Sequence, residues 1–385
     1  MYDENSRVCA RVDLGAIEYN LEAMKGNIPD GVRIMAVIKT DAYGHGALRI
    51  AQFLEDKDYI WGYATATAEE AFDLRDNGIN KPILVLGYTF PYAYEKMLSL
   101  GIRPAVFRED MLKELGDCAE KLLKSGVIKN PAPIHIAVDT GMSRIGIRHD
   151  KSGEEFVGKA FEVESLEIEG IFTHFARADE KDLSNAKERE QIFAEFVKNA
   201  ETAAGRKIPI HHCANSASII SIPESSMDMV RAGVTIYGMW PSDEVSKDII
   251  DLKPAMELVS HIVMIKEVPA GTPVSYGGTY VTNKVTKIAT IPVGYGDGYP
   301  RSLSNKGFVL IRGKRANILG RVCMDQFMVE VTDIADISEG DEVVLLGKDK
   351  TSGEEITADF LGELSGRFNY ELTCDINKRV PRVFV

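Results

Sequence analysis

Between about residues 30 and 240 the chain alternates strictly between short apolar runs and helical patterns, and this alternation limits the folds open to it. The runs are RIMAVI, YIWGYA, PILVLG, IRPAVF, PIHIAV, LEIEGIFTHF, IPIHHCA and MDMVRAG. Each is apolar enough to be buried on both faces, as parallel strands in α/β proteins are. The intervening segments carry helix signals. Thr67-Ala68-Glu69-Glu70 is a capping box and Gly78 closes the helix it starts. DLSNAKEREQIFAEFVKNAETAAG reads as one long amphipathic helix. About eight β/α units in this length favour a (β/α)8 barrel over an open sheet.

The texture changes after DLKPAMEL. From about 256 to 385 strand patterns alternate with turn clusters, and TADFLGELSG is the main helical stretch. The expectation is an α/β barrel over residues 1–250 followed by a mostly β domain over 251–385. No low-complexity linker separates them, so the two bodies should be held rigidly together. A chain of 385 residues is long for a single core, which agrees with two bodies.

Composition excludes several functions. A formal net charge of −13 disfavours nucleic acid and anionic membranes as partners. The N-terminal MYDENSRVCA lacks the apolar core of a signal peptide, and no run approaches the length of a membrane span. The five cysteines form no CxxC pair, so neither a disulfide framework nor a zinc site is expected. HHC at 211–213 is no better as a metal site, because adjacent strand side chains face opposite ways. A reducing cytoplasm is the expected compartment.

The first run, RIMAVI, leads directly into Lys39 in the stretch VIKTDAYGHG. In a (β/α)8 barrel the carboxyl end of a strand faces the active-site mouth. A lysine there is either an ordinary surface residue at the start of a loop or an amine desolvated enough to attack a carbonyl. Position alone leaves both open.

AVIKTDAYGHG resembles the lysine motif of the alanine racemase family. So, in the family's order, do DTGMSRIG, THFARAD, CANSAS, VRAGVTIYG, VSYGGTY, GYGDGYPR, GRVCMDQFMV and NYELTC with RVPR. A piece such as GYGDG is weak by itself, whereas the ordered set spans nearly the whole chain. The resemblance implies a barrel domain that binds pyridoxal 5'-phosphate and a homodimer in which the β domain of one subunit completes the other's site. It implies interconversion of L- and D-alanine, supplying D-alanine for peptidoglycan. A serine or broad-specificity racemase on the same scaffold is the alternative, and a non-catalytic pyridoxal phosphate binder a further one.

The site residues follow from the matched motifs. Lys39 would hold the cofactor as a Schiff base and act as one base, with Tyr276 as the opposite base across the dimer. His174 and Arg231 match a chain running from that tyrosine to the pyridine nitrogen, with His212 behind Arg231. An arginine keeps its own proton, so it leaves the ring nitrogen neutral and the electron sink shallow. That favours proton exchange over transamination, and argues against a decarboxylase, whose barrel relatives place an acid there. Tyr43, Asn215, Ser216, Gly233, Val234 and Tyr370 match contacts to the cofactor, chiefly its phosphate. Arg144 matches an arginine on the ring oxygen and substrate side. Met324 and Asp325 match residues meeting a small amino-acid substrate from the other subunit, and Asp179, Arg301 and Arg321 the entry path. Ala137 departs from the pattern: many members carry there a lysine that becomes carbamylated and orients the arginine matching Arg144.

Overall fold

A computed structural model of the chain describes residues 6–385. Residues 1–5, part of the stretch read above for a signal peptide, lie outside it. Eight parallel strands form one curved sheet: Arg33–Val37, Ile60–Thr65, Ile83–Val85, Arg103–Val106, Ala132–Asp139, Leu166–Phe172, Ile210–His212 and Met229–Ala232. All eight apolar runs expected from the sequence are strands. They pair in chain order, and the last, Met229–Ala232, pairs back onto the first. The remaining seam is bridged by the backbone. Asp228 N donates to the His211 carbonyl at 3.2 Å and Arg231 N to the Ala214 carbonyl at 3.0 Å. The sheet is therefore a nearly closed (β/α)8 barrel.

The helices wrap it with the faces their spacing dictates. Helix Glu109–Lys124 turns Met111, Leu112, Leu115, Ala119 and Leu122 inward, a three-to-four residue recurrence. Thr67 and Glu70 form the expected capping box at the start of helix Ala68–Asp76. Inside the barrel Met35, Val37, Trp61, Leu84 and Met229 make a separate apolar plug.

The second body is a long mostly antiparallel sheet with its own core, including Val309, Ile311, Phe327, Val343 and Leu345. The expected first body of residues 1–250 needs one correction. Strand Val8–Val12 lies in this second sheet, antiparallel to Met256–His261 and parallel to Arg382–Phe384. Its five residues are all buried, so it needs two partners, and these come from the far end of the chain. Helix Asn369–Cys374 is a second helix beside the expected one at Ala358–Ser365. Among the described residues no helix is long and apolar enough to cross a membrane.

Asn20, fully buried in the first barrel helix, Leu14–Gly26, ties the segment leading to the second body back to the barrel. Its amide donates to the carbonyls of Ile236 (3.0 Å) and Lys253 (2.8 Å) and accepts from Lys253 N (2.7 Å). The connecting segment is thus anchored to the barrel at Lys253.

Candidate active site

Lys39 stands two residues past strand Arg33–Val37, at the carboxyl-end mouth of the barrel. The next four residues, Thr40, Asp41, Ala42 and Tyr43, all have positive φ between 52° and 55°. None is glycine, so this left-handed turn costs roughly 1–2 kcal/mol per residue. Local hydrogen bonds hold it. Glu70 Oε1 accepts from Thr40 N at 2.6 Å, and Asp41 Oδ1 accepts from Ala47 N at 2.8 Å. His45 Nδ1 lies 3.0 Å from both the Ala42 and Tyr43 carbonyls, and its ring stacks on Tyr237 at 4.5 Å. Arg382 Nε reaches the Gly44 carbonyl from the β domain at 2.8 Å. The turn fixes Lys39 and Tyr43 relative to each other. Burial lowers the Lys39 pKa, with the nearby charge of Arg144 adding to the effect. The shift favours the neutral, nucleophilic amine relative to an exposed lysine.

Beside this turn is a cradle of hydroxyls and amides. Gly233 N donates to Ser216 Oγ at 2.9 Å, and Thr235 Oγ1 to the same oxygen at 3.0 Å. A Cβ on Gly233 would lie 3.2 Å from the Tyr43 hydroxyl and 3.5 Å from Ser216 Oγ. The bare glycine thus leaves open the space those two hydroxyls face. Asn215 caps the helix Ser216–Ser221 through its Oδ1, which accepts from Ser218 N. Val234 begins a short 3-10 turn. Tyr370, on helix Asn369–Cys374, meets Tyr43 edge-on at 6.3 Å.

Two residues before Gly233, on strand Met229–Ala232, Arg231 is buried. Nη1 donates to His212 Nδ1 (3.0 Å) and the His212 carbonyl (2.9 Å), and Nη2 to the carbonyls of Thr173 (2.7 Å) and Cys213 (3.0 Å). Nη2 also lies 3.3 Å from His174 Nδ1. A guanidinium has five N–H donors. The four on the terminal nitrogens are engaged, and the Nε–H has no hydrogen-bond partner among the described residues. Burial lowers the pKa of Arg231 to about 10, which leaves it charged at neutral pH. His174 is held neutral by burial first and then by Arg231, Arg144 and Lys39, which together push its pKa well below the usual histidine value.

Arg144 is exposed and makes no hydrogen bond among the described residues. Ala137 is buried against Ala105 and Phe172, with Leu86 and Phe107 alongside. An apolar cluster fills the position, so no polar group there orients Arg144.

The structure separates the sequence-expected residues into two sets. Lys39, Tyr43, His174, Asn215, Ser216, Arg231, Gly233, Val234 and Tyr370 gather at the barrel mouth. Tyr276, Met324 and Asp325 lie on the β domain, where Tyr276 and Met324 are 72% and 54% exposed. Among the described residues no hydrogen bond or ring contact joins Tyr276 to Lys39, His174 or Arg231. Tyr276 sits in a tight 3-10 turn after Ser275, whose φ is 62° and whose Oγ donates to the Arg321 carbonyl at 2.6 Å. The neighbouring loop is clamped: Gly296 N donates to the Met324 carbonyl at 2.8 Å, and Arg379 bridges Asp297 (2.7 Å) and Asp325 (2.8 Å). Asp179 stands on a barrel loop, and Arg301 and Arg321 on the β domain.

Sequence reasoning reached His212 but not His135, Glu169 or Arg103, which continue the polar chain beneath it. The signal for His135 was its place in the alternation of PIHIAV, which turns it to the same side as Ala137. No group of three or more His, Cys, Asp or Glu side chains among the described residues is arranged to hold a metal.

A strand-end lysine, a hydroxyl cradle and a buried arginine gathered at the mouth of a (β/α)8 barrel define a barrel protein with an enzyme-like site. Comparison with known proteins narrows this. Residues 12–241 match the model of the alanine racemase N-terminal domain and residues 255–384 that of its C-terminal domain. The chain is 44% identical to the alanine racemase of Halothermothrix orenii, covering 97% of this chain and 96% of that one. It is also 44% identical to that of Clostridium tetani over 100% and 97% of the two chains. The solved alanine racemase of Clostridium difficile superposes with a TM-score of 0.92 at 37% identity, covering 98% and 96%. The chain belongs to the alanine racemase family.

Proposed function

We propose that this protein is a pyridoxal 5'-phosphate-dependent alanine racemase, working as a homodimer with shared sites and supplying D-alanine for peptidoglycan in the cytoplasm. The observation that carries the reading is Arg231: every terminal N–H is spent on the barrel, and a single Nε–H remains for a ring nitrogen. The cradle fits the phosphate end of the same group, since the Tyr43 and Ser216 hydroxyls flank a space that a side chain on Gly233 would crowd, and the amides of Gly233 and Val234 would serve as further donors there. Bound pyridoxal phosphate supplies the electron sink that makes the substrate Cα–H acidic.

The protein's own groups do the rest. Lys39 would hold the cofactor through its amine, and the same amine would hold or take the Cα proton on one face. Tyr276 of the partner subunit serves the other face, as racemisation requires a base on each side. His174, whose Nδ1 faces an N–H of Arg231, would keep its own proton on Nε2 and donate it as a hydrogen bond to that tyrosine oxygen. Arg231 would keep its own proton and offer only its Nε–H to the ring nitrogen, which would keep the electron sink shallow and favour proton exchange over transamination. Arg144 and the backbone at Met324 orient the substrate carboxylate, with Asp325 beside them.

Chiral analysis of the products from a panel of L-amino acids tests the reading. D-Alanine should form fastest. Faster D-serine formation would move the assignment to a serine racemase, and a yellow protein without turnover would make it a cofactor binder. Borohydride reduction should fix the cofactor to the peptide carrying Lys39. Label on another lysine would refute the anchor.

A further inference from the structure

Beneath Arg231 the barrel interior is polar. His135 and His212 are both fully buried. His135 Nδ1 lies 2.9 Å from His212 Nε2, and His135 Nε2 lies 3.1 Å from Glu169 Oε2. Arg103 grips Glu169 from the barrel floor through Nε (2.9 Å) and Nη2 (2.8 Å). With Arg231 on His212 Nδ1, the file runs unbroken from the mouth to the floor.

The backbone is shaped around this file. The ladder between strands Ala132–Asp139 and Leu166–Phe172 slips at His135. Ile134 pairs with Ile168 but His135 with Gly170, which leaves Glu169 as the extra residue. Such a bulge re-aims a side chain. A Cβ on Gly170 would fall 2.5 Å from His135 Cε1 and Nδ1, so the glycine makes room for the ring. Phe172 stacks on His212 at 5.0 Å, and Trp61 lies 5.7 Å from His135.

Both ends dictate the same proton register. Arginine only donates, so His212 Nδ1 accepts. A neutral His212 then carries its proton on Nε2 and donates to His135 Nδ1. His135 in turn carries its proton on Nε2 and donates to Glu169, which as a carboxylate only accepts. Burial keeps both histidines neutral by lowering their pKa values. Burial alone would raise that of Glu169, but the hydrogen bonds from Arg103 and His135 outweigh it and hold the carboxyl at about 2.

We propose that Glu169 and His135, backed by Arg103, are positioning residues of the reaction. They lock His212 into the one tautomer that can accept from Arg231, and so hold the guanidinium with its Nε–H facing the mouth. The opposite tautomer would set an N–H of His212 against an N–H of Arg231 and push the guanidinium away. The role in the reaction rests on the reading that Arg231 faces the cofactor ring nitrogen, whereas the tautomer register stands on the chain alone.

Nitrogen-15 NMR of histidine-labelled, cofactor-free dimer reads the register without any turnover. His135 and His212 should both carry the proton on Nε2. In Glu169→Ala the acceptor is gone: His212 should populate the Nδ1–H form, and kcat of the loaded enzyme should fall about ten- to a hundredfold with KM changed far less. Glu169→Gln, whose amide oxygen still accepts, should keep the native tautomer and most of kcat. Gly170→Ala, which crowds His135 from the other side, gives the same two readouts should Glu169→Ala fail to fold. An Nδ1–H or doubly protonated ring at either histidine in the unaltered protein overturns the proposal. So does an Arg231-competent His212 with unchanged kcat once the acceptor or its alignment is lost. Native tautomers in a protein that racemises nothing would sink the functional reading and the role in the reaction, leaving the tautomer assignment intact.

Discussion

His45 is wholly inside the turn that carries Lys39, and its charge state matters more than its size. Burial lowers its pKa to about 4, against 6.5 for a free histidine, and the carbonyls of Tyr43 and Ala42 only partly counter this. The folded protein therefore holds His45 neutral while the unfolded chain takes up a proton below about pH 6.5. The sign follows from linkage: stability from this group is present above the unfolded value and is lost as pH falls toward 4. The difference of about 2.5 units corresponds to about 3 kcal/mol. His45→Asn retains a donor near the two carbonyls and cannot ionise. It should be less stable than the native protein at pH 8 by about 1–3 kcal/mol, for lost packing against Tyr237. That deficit should shrink between pH 6.5 and 4 in denaturant titrations. A deficit independent of pH would show that His45 titrates normally in the folded state.

At the scale of elements, the left-handed turn from Thr40 to Tyr43 is the longest run of left-handed non-glycine residues among those described. Four residues at roughly 1–2 kcal/mol each amount to several kcal/mol held in place by surrounding anchors. Glu70 is the anchor with two duties, since it caps helix Ala68–Asp76 and also accepts from Thr40 N. Glu70→Ala should cost about 1–3 kcal/mol of global stability through the lost cap and hydrogen bond. Its sharper effect should be local. Amide exchange should speed up over residues 39–46, with the other barrel strands unaffected, and cofactor affinity should fall because Lys39 and Tyr43 are no longer fixed together. Uniform exchange across the barrel in this variant would show that the turn is stable without its anchor. Gly44 tests the same element from the other side: its φ is +85°, and a Cβ there would lie 2.0 Å from the Thr373 carbonyl. Gly44→Ala should therefore push away helix Asn369–Cys374 and, with it, Tyr370. Loss of the Tyr43–Tyr370 contact with cofactor still bound at native affinity would show that Tyr370 takes no part in holding it.

For the whole molecule, the distribution of site residues between the two bodies makes the assembly testable. Lys39→Ala should kill both sites of its homodimer, and Tyr276→Phe should cripple both of its own. Dissociated together and allowed to reassociate, the two inactive chains should form mixed dimers in about half the molecules. One site in each mixed dimer then has Lys39 from one chain and Tyr276 from the other, so roughly a quarter of all sites should regain activity. A mixture that stays dead while mixed dimers demonstrably form would put Lys39 and Tyr276 in the same chain's site. In the proposed dimer the partner subunit would cover Tyr276 and Met324, both large, partly apolar and exposed here.

What the sequence determined by itself was local or periodic. The barrel strands are buried along most of both faces, so they read as largely apolar runs, and all eight were legible. The capping box at Thr67 and Glu70 was legible because all its atoms lie within four residues. Lys39, Arg231 and Ser216 could be placed because each ends or follows such a run, in motifs matching a known family. Tertiary structure decided the rest, wherever a residue's environment comes from distant segments. Strand Val8–Val12 joins the second sheet because its partners lie at 256–261 and 382–384, and no local pattern records a pairing across the whole chain. The turn after Lys39 contains no glycine among its four left-handed residues, so its strain is invisible until Glu70, His45 and Arg382 are seen to hold it. Glu169 reads as one more charge in a strand until a slipped register turns it toward His135. Sequence periodicity fixes which face of an element is buried. Only the closing of the barrel brings one strand's buried histidine, the next strand's carboxylate and a distant arginine into a single hydrogen-bonded line.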